Sequence, residues 1–164
     1  MSTTSLEVRP QSDLPVAVVL VAVALGVGLI GGLATVESID TWYAALNKPA
    51  FTPPNGVFAP VWTTLYVAMG IAAWRVWRTG HPARRPALLL YAVQLAFNLA
   101  WSLIFFGLQR PGLALIEIVP FLAIVVATGN AFGRIDRPAG VIFAVYAAWV
   151  AFASALNFEV WRLN

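Results

Sequence analysis

The feature that most limits what this chain can fold into is a set of five long apolar runs, at roughly 14–35, 60–77, 87–107, 112–132 and 139–161. A run of about 20 apolar residues crosses the hydrocarbon core of a bilayer only as a helix, because lipid offers no partner to an unpaired backbone N–H or C=O. Little chain is left between the runs. They imply an all-α integral membrane protein, a single five-helix domain over 1–164 with no separate soluble domain. Composition agrees, with 60% of residues hydrophobic and only 10% charged. The first run follows MSTTSLEVRPQSD, which lacks a clean basic start, and is longer than a signal-peptide core, so it reads as a retained helix.

Charge suggests an orientation and removes several function classes. Arg9, Arg75, Arg78, Arg84, Arg85, Arg134 and Arg137 would share one side, and Lys48, Arg110 and Arg162 the other. Seven against three predicts an N-terminus inside and a C-terminus outside. The net charge of +3 is dispersed among the connections, unlike the basic patch of a nucleic-acid binder. Absence of cysteine rules out disulfide and thiolate chemistry. His81, in the arginine-rich turn RVWRTGHPARRP, has no second histidine with which to share a metal and reads as an exposed turn residue. No nucleophile stands beside a histidine base, no glycine loop offers a phosphate cradle, and no row of intramembrane charges serves a pump.

Helix faces carry the remaining information. Ala24, Gly28 and Gly32 form a small-residue ridge on the first helix, suited to a bundle or dimer contact. On the third, Gln94, Asn98, Trp101 and Phe105 share a stripe, and Ala92, Ala96 and Ala100 lie nearly opposite. The two carboxamides need partners in hydrocarbon. They either tie helices together or line a cavity that offers hydrogen bonds among aromatic rings. The alanine face would pack against a neighbour, such as a second copy of the chain. Trp62, Tyr66, Met69 and Ala73 share a stripe on the second helix, as do Tyr146, Trp149, Ala153 and Asn157 on the fifth. Trp74, Trp77 and Trp161 suit an interfacial belt, whereas Trp149 sits too deep for one. Indoles facing amides would make a flat slot for a planar ligand. Glu117 is assigned a structural or dimer-contact role, Pro120 a kink, and Glu159 with Arg162 a local ion pair.

The first connection, 36–59, is unusual for a membrane turn. It contains WYAALNKPAFTPPNGVF, in which Pro49, Pro53 and Pro54 fix φ and remove backbone donors. With Phe51 it would act as a stiff lid over one end of the bundle, or serve as a rigid connector with interfacial aromatics.

The blocks WYAALNKPAFTPP, PVWTTLYVAMGIAAW, YAVQLAFNLAWSLIFFG and YAAWVAFASALNFEVWRLN resemble, in order and spacing, those of the TspO/MBR family, the bacterial tryptophan-rich sensory proteins and the mitochondrial translocator proteins. The resemblance implies five membrane helices around a loop-capped internal ligand cavity, with porphyrin- or haem-type tetrapyrroles as ligands and no obligatory cofactor. By position, it implies a cavity lined by Trp42, Tyr43, Trp62, Tyr66, Gln94, Asn98, Trp101, Phe105, Trp149, Ala153 and Asn157. Phe51 stands where many members have tryptophan. Phe158 stands where the family's cholesterol pattern has tyrosine, which favours a tetrapyrrole over a sterol. The implied function is a membrane receptor or sensor that adjusts tetrapyrrole metabolism or transport, and the alanine face of the third helix points to a homodimer in the bilayer. The alternatives are light- and oxygen-dependent porphyrin degradation, with Trp62 and Trp149 as candidate electron donors, and transport.

Overall fold

A computed structural model describes residues 13–164. The elements in chain order are α1 (Leu14–Ile39), the single turn α2 (Trp42–Ala45), α3 (Asn55–Arg78), α4 (Arg84–Ser102), α5 (Pro111–Ile135) and α6 (Arg137–Leu163). α4 runs on into a π-helical turn over Leu103–Gly107. Five of these helices are long and apolar enough to cross a membrane. Prolines near the start of α1, α5 and α6 fall where a missing N–H costs nothing. The helices outrun the apolar segments at most ends, because helical bonding continues into the polar boundary. The first connection therefore shrinks from the expected 36–59 to the stretch between Ile39 and Asn55. Arg9, one of the residues used to orient the chain, lies outside the described residues.

Neighbouring pairs run α1–α3–α6–α5–α4 and back to α1, closing a ring in which α5 and α6 share the largest interface. Lipid gives no hydrophobic reward for bringing helices together, so the closest approaches depend on small residues. A Cβ on Gly70 would lie 2.6 Å from the Val21 Cα across α3 and α1. One on Gly140 would lie 2.5 Å from the Gly133 Cα across α6 and α5. The ridge expected on α1 is right for Ala24, which is fully buried, and for Gly28, which lies against the Tyr66 ring. It fails at Gly32, which meets no neighbour, while Gly31 rests on Ser102 of α4. A strict four-residue spacing drifts about 40° per step around a helix, so the third member leaves the contact face.

Outward-facing Leu29, Val36, Ile116 and Val119 make the surface that acyl chains meet. Ala92 and Ala96 are also exposed, with no helix among the described residues covering them. Arginines stack on the belt tryptophans at one end, Arg78 4.7 Å over Trp74 and Arg84 5.8 Å over Trp77. Arg162 pairs with Glu159 at 2.6 Å, and α5 continues unbroken through Pro120.

One polar cluster joins three helices at that arginine-rich end. Arg75 of α3 donates from Nε and a terminal nitrogen to the two Asp136 oxygens at 2.9 and 3.0 Å, while Asp136 caps α6 by accepting from the Ala139 N–H at 2.8 Å. The guanidinium holds the Asp136 carboxyl below its ordinary value. A depressed folded value means that the stabilisation is present above the ordinary carboxylate range and is lost as pH falls through the lowered value. Asp136→Asn should cost up to about 1 kcal/mol at neutral pH, from the ion pair alone, because asparagine keeps an oxygen that can cap α6. That difference should vanish in strong acid, as read by thermal unfolding in detergent at several pH values.

Candidate ligand site

Where α3, α4 and α6 face one another, the polar stripes meet as a connected network. The Tyr66 hydroxyl donates to the Asn98 side-chain oxygen. The Asn98 amide donates to the Tyr146 hydroxyl at 2.8 Å, and that hydroxyl donates onward to the Gln94 oxygen at 3.2 Å. The Gln94 amide nitrogen is 3.8 Å from the Met69 sulfur. Gln94, Asn98 and Tyr146 are almost fully buried. Both expected carboxamides are thus on the core face, and in this conformation they tie helices together. Each keeps unused capacity, since an amide offers two donors and two acceptor lone pairs.

Aromatic contacts fall into two groups beside this network. Trp62 of α3 approaches Tyr66, Tyr146 and Trp149 at centroid distances of 5.9, 6.4 and 6.5 Å. Trp62 thus lies against the Tyr66 and Tyr146 rings, whose hydroxyls bond the two amides. The Trp149 indole N–H is buried without a partner among the described residues. Nearer the first connection, Trp101 stacks on Phe105 at 5.3 Å, and Trp42 meets Phe105 at 5.7 Å. Tyr43 meets Phe106 at 5.6 Å. Asn157 joins this second group by accepting from the Trp101 indole at 3.0 Å and donating to the Pro111 carbonyl at 2.8 Å. Ala153 is half-buried against the core. The groups connect through α4, where Asn98 and Trp101 lie one turn apart.

The π-helical turn explains how both Phe105 and Phe106 reach the loop. Its bond from the Leu108 N–H to the Leu103 carbonyl, at 2.8 Å, spans five residues and widens the helix. Gln109 then takes a left-handed φ of 55° and ends the segment.

The connection itself folds tightly. Lys48 donates to the carbonyls of Tyr43, Ala44 and Leu46 at 2.7, 3.3 and 3.0 Å, closing the C-terminal end of α2, where a cation is favoured. The same ammonium lies 4.7 Å from the centre of the Tyr43 ring. Burial pushes the Tyr43 phenol above its ordinary value. Asn47 and Asn164 then clasp the connection to the end of α6. The Asn47 N–H donates to the Asn164 side chain at 3.0 Å, and the Asn164 amide donates back to the Asn47 carbonyl at 3.0 Å. Of the residues expected to stiffen the lid, Pro49 closes a turn with Thr52, Pro54 precedes α3, and Pro53 lies between. Phe51 is half exposed and touches Phe152 edge-on at 6.3 Å.

Tyr146 is the central residue missing from the cavity set drawn from the sequence. Its stripe with Trp149 was visible, but its partner amides lie on another helix. Asn47 and Asn164 were also unmarked, because they act on each other across 117 residues, and Lys48 was read only as a charge although its partners are two to five residues away. Glu117 of α5 has both carboxylate oxygens buried without a hydrogen-bond partner among the described residues.

Comparison with known proteins agrees with this architecture. Residues 18–162 match the TspO/MBR family. The chain is 39% identical over 146 residues to the "Tryptophan-rich protein TspO" of Chlorobaculum tepidum, covering 88% of this chain and 92% of that one. It is 45% identical over 125 residues to the "Tryptophan-rich sensory protein" of Cereibacter sphaeroides, covering 76% and 78%. To the "Translocator protein" of Bos taurus it is 37% identical over 140 residues, covering 84% and 83%. With its five apolar helices, the chain is a multi-pass integral membrane protein that belongs to the TspO/MBR family.

Proposed function

We propose that this protein is a membrane receptor or sensor for porphyrin-type tetrapyrroles and similar flat hydrophobic molecules. The observation that carries the proposal is the gathering of Trp62, Tyr66, Trp149 and the buried amides Gln94 and Asn98 beneath a clasped, aromatic-bearing connection. A planar ligand gains most from ring faces, and the spare amide capacity and the free Trp149 N–H can hydrogen-bond its edge. The ligand would enter between these rings, with the Tyr66 and Tyr146 hydroxyls, already bonded to the amides, beside it. The names of the relatives, a sensory protein and translocator proteins, accord with a ligand-responsive role. The outward Ala92 and Ala96 face would meet a second copy, giving a homodimer.

Protoporphyrin IX titrated into the protein in nanodiscs should quench tryptophan fluorescence saturably, and Trp149→Phe should weaken the apparent affinity several-fold. Quenching that never saturates and ignores the substitution would mean partition into lipid, and would refute the site.

A second reading rests on the edge-to-face pair of Trp62 and Trp149, at 6.5 Å. An indole in contact with a photoexcited macrocycle can donate an electron to it, with dioxygen as terminal oxidant. Light-dependent loss of the porphyrin spectrum that disappears in both Trp62→Phe and Trp149→Phe would support degradation over binding alone.

A further inference from the structure

We propose that the groove between α5 and α6 at the arginine-rich end of the bundle binds an anionic phospholipid, with its phosphate on Arg134 and Arg137 and an acyl chain along the helix seam. The groove has a volume of about 630 Å³, within the range of roughly 300–1,000 Å³ common for small-molecule sites. Its lining shares none of the candidate ligand residues above, although Phe143 in it meets the Tyr146 ring at 5.8 Å.

Its shape follows from the sequence. Gly133 and Gly140 let the two backbones touch, and a Cβ on Gly129 would lie 3.0 Å from the Phe143 Cβ. Glycines on α5 and Ala144 and Ala147 on α6 keep much of the lining small, Phe143 also lines the groove, and the exposed Val126 and Val141 flank it. The result is a groove with a largely apolar lining along the helix seam.

Its chemistry changes at the mouth. Arg134 closes α5 and Arg137 opens α6, and both are exposed groove residues. Neither has an ion pair or hydrogen bond among the described residues. The acid between them, Asp136, is already engaged by Arg75 and the Ala139 N–H, and Arg78 is paired with Asp13 at 3.4 Å. Asn130, one turn deeper than Arg134, adds an amide donor. Two guanidiniums and an amide above a largely apolar groove at a membrane boundary complement a phosphate joined to acyl chains. Guanidinium binds phosphate in paired, charge-assisted hydrogen bonds, and basic pockets between membrane helices suit anionic headgroups.

The test is lipid titration of the intact protein in detergent, read by native mass spectrometry, with phosphatidylglycerol and phosphatidylcholine of the same chains. Wild type should favour phosphatidylglycerol by roughly five- to tenfold, and Arg134→Gln with Arg137→Gln should abolish the preference. Arg85→Gln, which removes a charge from the same end outside the groove, should retain it. Ala144→Leu should weaken both lipids with the arginines intact. Equal binding of the two lipids by wild type would overturn the proposal. So would an equal loss in Arg85→Gln, which would indicate only general surface charge. Displacement of the lipid by an equal concentration of glycerol phosphate would also overturn it, by marking a site for a soluble anion.

Discussion

Gly140→Ala should destabilise the protein by about 2 kcal/mol, although alanine is by itself the better helix former by about 1 kcal/mol. The added Cβ would lie 2.5 Å from the Gly133 Cα, 3.0 Å from its nitrogen and 3.4 Å from the Gly129 carbonyl oxygen. These are backbone atoms, which cannot rotate away as a side-chain tip can. The two helices must therefore separate along the largest interface in the ring. Gly26 and Gly32 supply the control, because a Cβ at either meets nothing within 4 Å. Gly26→Ala should accordingly be neutral or stabilising by up to about 1 kcal/mol. Thermal unfolding in one detergent gives both numbers. A Gly140→Ala protein as stable as wild type would show that α5 and α6 do not pack backbone to backbone.

Asn98→Leu should cost about 2 kcal/mol, and the greater part of that cost should come from what the substitution leaves behind. It strips the Tyr66 hydroxyl of its acceptor and the Tyr146 hydroxyl of one donor, both in the apolar core. An unsatisfied buried group costs roughly 1–3 kcal/mol, but single hydrogen bonds inside membrane proteins average only about 0.6 kcal/mol, because the unfolded state in lipid finds other partners. The desolvated tyrosine dominates here, since the rings around it admit no substitute. Adding Tyr66→Phe to Asn98→Leu should therefore recover part of the loss. Additive or worse behaviour in that double mutant would contradict the assigned bond.

The hydrophobic pattern made the spans legible, because in lipid an apolar run has essentially one way to satisfy its backbone. The stripe of Gln94, Asn98, Trp101 and Phe105 was legible for a related reason: four- and three-residue steps keep side chains on one face. Its occupants were not. That Tyr66 and Tyr146 take up the amides is a relation among three helices, and no segment states it alone. The π-helical turn was hidden too, because its wide bond depends on how α4 meets the connection rather than on residue preference. The connection was read through its prolines, yet Lys48 and the Asn47–Asn164 clasp hold it, the latter linking residues 117 apart. Glu117 was visible as a charge inside a span, but its lack of a partner emerges only once its neighbours are placed.

The proposed binding of a flat ligand inside the bundle, under the clasped connection, is tested most directly by a rate. That rate is the dissociation of protoporphyrin IX from the protein in nanodiscs, measured by fluorescence after dilution into excess empty discs. Asn164→Ala removes the two shorter hydrogen bonds of the clasp, leaving only that from the Asn47 amide to the Leu163 carbonyl at 3.4 Å, and exposed hydrogen bonds of this kind sum to roughly 1–2 kcal/mol. Dissociation should accelerate about five- to tenfold, and Pro53→Gly with Pro54→Gly should act in the same direction. Rates that stay at the wild-type value in both variants would mean that the ligand leaves without passing the connection, and would contradict a loop-capped site.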